Sequence, residues 1–269
     1  MTKVSLVVKI MDYLRLNQTT KAMKTILVPI NFQAASGKAL NYIERVFKDQ
    51  SIKMELLHVS TPSEKLTKEE IQKSFEKFEY TYLKNCKIPY SLTIAEGTLM
   101  EQIQKAINEK RPALVAIGLT GNELVKSMVK LLSCPVLLIP STNETPAIRN
   151  IVYANDFHTI KDSSALEPLW NLAQACDAMV HVLHVTKENT LPKDEAEGPL
   201  EYYLDHIRHE YVSLKSDDFV AAINKYAADK KIDLLTLLAR DHGKNELHSS
   251  GHLVEQLLNK TNIPVLNLV

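Results

Sequence analysis

The chain has no net charge: 32 Lys/Arg stand against 32 Asp/Glu in 269 residues. Nothing therefore draws it as a whole toward nucleic acid or an anionic membrane. Cysteine is scarce. Cys86, Cys134 and Cys176 show no CxxC or other metal-like spacing. An odd count without pairing excludes a complete disulfide framework and suits a reducing, cytoplasmic compartment with buried or idle thiols. Long apolar runs are missing too. The stretch from Val4 to Val8 is broken by Lys9 and Asp12, too short for a membrane span, and no small-residue cleavage site follows it. There is no GxxxxGK[ST], no HExxH, no nucleophile elbow and no repeated carboxylate motif. Catalysis thus has little support. Basic residues are scattered, and the one aromatic-rich stretch, "FEKFEYTYL" at 75–83, reads as a helix core and not as a base-stacking surface.

What is present is a duplication. "KTILVPINF" at 24–32 returns as "NIVYANDF" at 150–157, "MELLHV" at 54–59 as "MVHVLHV" at 179–185, and "CPVLLIP" at 134–140 as "IPVLNLV" at 263–269. The offsets, 125, 126 and 129 residues, are so close that a whole unit is repeated and not one motif. His58 and His184 fall at matching strand ends, which suggests a packing or hydrogen-bonding role common to both copies. Residues 24–140 form the first domain and 149–269 the second, joined by the linker 141–148 within "PSTNETPAI", rich in Pro, Ser, Thr and Asn. Residues 1–23 are an extension: either a peripheral segment, whose Val4, Val7, Val8, Met11 and Leu14 would share a helix face, or an extraneous start before Met23. Charge is uneven between the copies. The first holds 16 basic against 12 acidic residues and the second 12 against 18, so the halves can attract each other weakly.

Each copy alternates short apolar strands with amphipathic helices, the pattern of a parallel sheet covered on both faces. The spacing predicts strands at 25–30, 53–59, 88–95, 113–118 and 135–139, with helices at 34–48, 63–85, 98–110 and 121–132. In the second copy it predicts strands at 150–155, 178–185, 211–215, 233–239 and 264–268, with helices at 163–175, 198–209, 217–230 and 250–260. The strand "YVSLK" at 211–215 is the weakest of these.

The order of "ILVPxxF", "LLHV", a strand ending in "IGxxG" and then "CPVLLIP", met twice, resembles the universal stress protein family in tandem form. The resemblance covers nearly all of residues 24–269. It implies an α/β fold with two tandem doubly wound parallel five-stranded sheets, related to nucleotide-binding α/β folds. It also implies pairing through the last strands, 135–139 and 264–268, into an intramolecular pseudo-dimer, with further homodimer formation left open. Many family members bind ATP through an acidic residue after the first strand, a Val after the second, and a G-x2-G-x9-G-(S/T) loop. The glycines of that loop let backbone N–H groups approach phosphate at a helix N-terminus.

Neither copy carries that pattern whole. In the first, Gly118 and Gly121 match the first two glycines, but Gly118 lies only 17 residues before Pro135, nine too few, and Asn31 replaces the acid. These glycines then merely turn the chain, and the site is lost. The second copy keeps the length in "ARDHGKNELHSSGH" at 239–252. Asp156, Val185 and Gly251 match, whereas Leu238 and Asp241 replace two glycines and His252 the hydroxyl. The candidate ligand cleft is therefore Asp156, Val185, Gly251 and His252, with ATP or AMP as the implied ligand. Asp241 would repel a polyphosphate by roughly a few kcal/mol. Asp241, His242, His248 and His252 also include zinc-ligand types, but a solvated loop capped by Ser249 or Ser250 explains them better, and no metal is expected. Three functions follow: a non-enzymatic, ligand-responsive stress factor with degenerate nucleotide sites, an ATP- or AMP-binding universal stress protein using the second domain, or a structural or protein-interaction module with no ligand.

Overall fold

The computed structural model describes residues 23–61, 67–121, 124–143, 147–154, 163–186, 200–201, 204–238 and 250–269. In the first half β1 (Lys24–Ile30), α1 (Ala34–Phe47), β2 (Ile52–Ser60), α2 (Lys68–Tyr82), β3 (Tyr90–Glu96), α3 (Leu99–Lys110), β4 (Leu114–Leu119), α4 (Val125–Leu131) and β5 (Val136–Pro140) follow one another. The second half runs β6 (Asn150–Ala154), a 3-10 turn (Ser163–Leu166), α5 (Glu167–Cys176), β7 (Met179–Thr186), β8 (His209–Lys215), α6 (Phe219–Asp229), β9 (Leu234–Leu238), α7 (Ser250–Leu258) and β10 (Val265–Leu268).

Local chemistry sets several of these boundaries. Thr67 caps α2 in a reciprocal box: its hydroxyl accepts from the Glu70 amide at 3.2 Å, and the Glu70 carboxylate accepts from the Thr67 amide at 2.8 Å. Asp218 caps α6 by accepting from the Ala221 amide at 2.9 Å. Arg111 and Asp177 close α3 and α5 in left-handed conformation. The helix expected from 163 opens as a 3-10 turn and becomes regular only at Glu167. The structure also corrects the helix expected over 198–209: His209 leaves it and opens β8, two residues before the strand was expected.

All ten strands form one sheet in the order β3-β2-β1-β4-β5-β10-β9-β6-β7-β8. Every neighbouring pair is parallel except β5 and β10, which run antiparallel with Leu137 opposite Leu266. The two expected five-stranded sheets are therefore fused through the last strands into a continuous one. One core lies on each face, and each runs through both halves. α1, α2 and α5 cover the first face, while α3, α4, α6 and α7 cover the second. Central strands such as β5 are buried along their whole length, which is why they read as unbroken apolar runs. Among the described residues two ion pairs join the halves, Lys24 to Glu167 at 2.5 Å and Lys126 to Glu255 at 2.8 Å. Both place the cation on the first half, as the uneven charge anticipates.

The seam contains one polar exception. Val265 faces Leu138, whereas the pair related by duplication is Asn267 facing Val136, so Asn267 stands where the first half has Leu138. Asn267 is fully buried, and its Oδ1 has no hydrogen-bond partner. A buried unpartnered amide oxygen costs about 1–3 kcal/mol. Asn267→Leu is therefore expected to stabilise the protein by about 1 kcal/mol in urea denaturation; a loss of stability would show that the amide is satisfied after all.

Candidate functional site

In an open parallel sheet the ligand crevice forms at the carboxyl ends of the strands where their order reverses. That point lies between β1 and β4 in the first half and between β6 and β9 in the second. In the first half the chain itself fills it. Asn31, at the position of the family's acid, accepts from the Gln33 amide at 3.2 Å and from the Ser36 hydroxyl at 2.8 Å, so it organises the turn into α1. Phe32 adopts a left-handed φ of 58°, and its ring stacks on His58 with centroids 4.2 Å apart. His58 is buried, and its Nδ1 donates to the Ile30 carbonyl at 3.2 Å.

Gly118 corrects the simple turn expected of it, because it lies inside β4. A Cβ there would stand 2.2 Å from the Ala35 carbonyl oxygen and 3.1 Å from the Ala39 Cβ. The missing side chain lets the first turn of α1 press onto β4, where a phosphate loop would otherwise need room. Only Thr120–Leu124 then separate β4 from α4.

The second half differs at each of these points. Leu238 occupies the Gly118 position at the end of β9, and its side chain packs on the core of the α1–α5 face. Val185 lies near the carboxyl end of β7, partly buried against the opposite core. Gly251 is in the first turn of α7, where a Cβ would meet the Lys126 carbonyl oxygen at 3.1 Å and its Cα at 3.2 Å. Gly251 thus lets α7 approach α4 across the seam, a packing reason that spacing alone did not reveal. His252 is half-buried on α7. Its Nε2 accepts from the Gln256 side-chain amide at 3.0 Å, and its Nδ1 is 3.8 Å from Glu255. Asp156, Asp241, His242 and His248 lie outside the described residues. Among the described residues no group of three or more His, Cys, Asp or Glu could hold a metal ion, and no helix is long and apolar enough to cross a membrane. Burial pushes the Cys134 and Cys176 thiols up to about 11, so both stay protonated and weakly nucleophilic.

Sequence reasoning missed a second polar arrangement, on the outer strands. Glu55 of β2 is buried, yet it accepts hydrogen bonds from Ser91 at 2.8 Å, from Thr93 at 2.6 Å and from Lys110. Strand register puts His181 at the equivalent place in β7. Its Nδ1 lies 2.7 Å from Glu210 and 2.9 Å from the Tyr226 hydroxyl. Alignment of the two copies by strand register carries this signal, since it sets Glu55 opposite His181.

Residues 23–140 match the family model of the Universal stress protein family. This half is a universal stress protein domain, and the second half repeats its fold. No curated protein matches the chain. Among solved structures, a universal stress protein from Archaeoglobus fulgidus is similar over 91% of this chain and 95% of its own, with a TM-score of 0.70 at 16% identity. A functionally unknown protein from Pseudomonas aeruginosa matches over 92% of each chain, with a TM-score of 0.65 at 16% identity. The cytoplasmic domain of a prokaryotic cation chloride cotransporter covers 92% of this chain and 95% of its own, with a TM-score of 0.61 at 11% identity. These matches span both halves and establish the tandem fold.

Proposed function

We propose that the protein is a non-enzymatic, ligand-responsive factor of the universal stress type, in which only the second half retains a small-molecule crevice. The observation that carries this reading is the asymmetry of the two switch points. The first is filled by Asn31, Phe32 and the contact of Ala35 with Gly118, and five residues join β4 to α4. In the second, residues 239–249 separate β9 from α7, a connection six residues longer than that of the first half. Asp156 and Val185 would address a nucleoside and the start of α7 at Gly251 and His252 an anionic group, since helix N-termini favour anions. Asp241 disfavours a triphosphate, so AMP binds at least as well as ATP. A role in stress response and a cytoplasmic location rest on the family likeness.

Thermal-shift titration with AMP and ATP tests the reading. Raised melting temperatures are expected with AMP, with an equal or smaller effect from ATP and none in Asp156→Ala. No shift with either nucleotide would favour the interaction module, a reading that the closed first site already supports for that half.

A further inference from the structure

His209 opens the edge strand β8 and is mostly buried, its side chain 12% exposed. Its Nδ1 lies 2.8 Å from the Ile207 carbonyl oxygen and its Nε2 3.1 Å from the Glu201 carboxylate. Both partners only accept. Rotating the ring by half a turn would put carbon atoms against both oxygens, so it relieves nothing. The two contacts are hydrogen bonds together only if both nitrogens carry hydrogen, which is the imidazolium form. Tyr211 stacks edge-on with the ring at 5.5 Å and donates to the same Glu201 oxygen at 3.0 Å.

The duplicated half supplies an internal control. Register sets Tyr90 of β3 at the position of His209. There the Tyr90 hydroxyl donates to Glu79 of α2 at 2.7 Å, so the edge strand is again tied to a glutamate in the segment before it. That tie is neutral on the donor side and does not titrate near neutrality. Burial, with Glu79 beside it, pushes the Tyr90 hydroxyl up to about 12. In the second half the same tie has become a charged one.

We propose that His209 is a proton-binding site, whose imidazolium clasps β8 to Glu201, so that acidification fastens the outer edge of the second half and alkalinisation releases it. The other titratable groups around it do not replace this contact. Arg208 pairs with Asp177 at the end of α5, at 3.3 Å. Glu210 faces His181 of β7 and Tyr226 of α6. Asp205 and His206 form a wide, exposed pair at 3.9 Å. Cys176 of α5 remains a thiol because burial raises it to about 11. Hydrogen bonds from His209 and then Tyr211 hold the Glu201 carboxyl below its usual range, so it stays an acceptor. The clasp needs the protonated ring, so its contribution is present with the imidazolium and is lost when the ring gives up a proton. This site is independent of the nucleotide crevice, and its test can fail without touching that reading.

Nitrogen-15 shifts of the His209 ring and amide exchange, expressed as protection factors, are measured on the full chain at pH 6 and pH 8. Both ring nitrogens should be protonated at pH 6. Protection across 209–215 should fall about tenfold between the two pH values, in line with the loss of a charged hydrogen bond, while 90–96 stays constant. His209→Tyr, which installs the residue of the first half, should flatten the response. Glu201→Gln should lower protection at pH 6 to the pH 8 level, and it serves if the tyrosine variant does not fold. A neutral ring at pH 6, an equal fall over 90–96, or an unchanged response in either variant overturns the proposal.

Discussion

Gly118→Leu is expected to destabilise the protein by about 3 kcal/mol, lowering its melting temperature by roughly 6–12 °C. Leucine is the residue that the second half carries at the equivalent Leu238, so the swap asks whether the two switch points are interchangeable. The packing says they are not. The first atom of any side chain at 118 would lie 2.2 Å from a backbone oxygen of α1, and backbone cannot rotate aside as a flexible side chain can. Relief requires α1 to lift from β4, which separates Ala39, Leu40 and Ile43 from the core they fill. Gly118→Ala should therefore already show most of the loss, although alanine is otherwise tolerated better than glycine in a strand. Urea denaturation of the two variants checks this; a neutral Gly118→Ala would show that α1 does not rest on β4 as described.

That contact also sets the two switch points apart. In the second half the helix equivalent to α1 becomes regular only at Glu167, after a 3-10 turn. The close helix of the first half demands glycine at 118, whereas Leu238 packs its side chain on the core of the α1–α5 face. Helix position, loop length and the residue at the strand end thus vary together as one steric unit. Asn31 follows the same logic. An amide serves to accept and arrange a turn, as Asn31 does for Gln33 and Ser36.

Much of this was legible in the sequence because it depends on periodicity and register. The ten strands and their assignment to two repeats came from apolar runs spaced by an almost constant offset; the pairing of 135–139 with 264–268 came from the family resemblance, and β5 and β10 do pair. What failed was local. Thr67 and its capping box start α2 at Lys68 and not at 63, and His209 passed for a helix residue because its neighbours Leu204 and Ile207 are spaced as on a helix face. The roles of Gly118 and Gly251 were hidden for another reason. Glycine spacing is compatible with both a phosphate loop and a close helix contact, and only the distance to Ala35 or Lys126 tells which contact is made. The polar partners of Glu55 lie 36, 38 and 55 residues away in sequence, beyond the reach of any local pattern.

Lys110→Met should destabilise the protein more than Glu55→Gln, by about 3 kcal/mol against about 1 kcal/mol at pH 7. The asymmetry comes from exposure. The Glu55 side chain is 9% exposed and that of Lys110 36%, so a lysine deprived of its partner returns to water, whereas a glutamate deprived of its lysine stays where it is. Burial alone would raise the Glu55 carboxyl, but hydrogen bonds from Lys110, Thr93 and Ser91, with the lysine charge, outweigh it and hold the carboxyl below its usual range. A carboxyl so depressed stabilises the fold fully above its unfolded value, about 4.3, and the contribution disappears as pH falls through the depressed folded value. Without Lys110, burial is opposed by only two hydroxyls, and the variant carboxyl titrates higher. The stability gap between wild type and Lys110→Met should then be widest at neutral pH and shrink below about pH 4. Urea denaturation of both proteins at pH 7 and pH 3.5 measures it. A gap that stays constant with pH would mean that Lys110 acts through its aliphatic stem and not through charge. Position 181 offers the matching comparison, because the second half meets the same burial with an imidazole, which can lie in the core without charge.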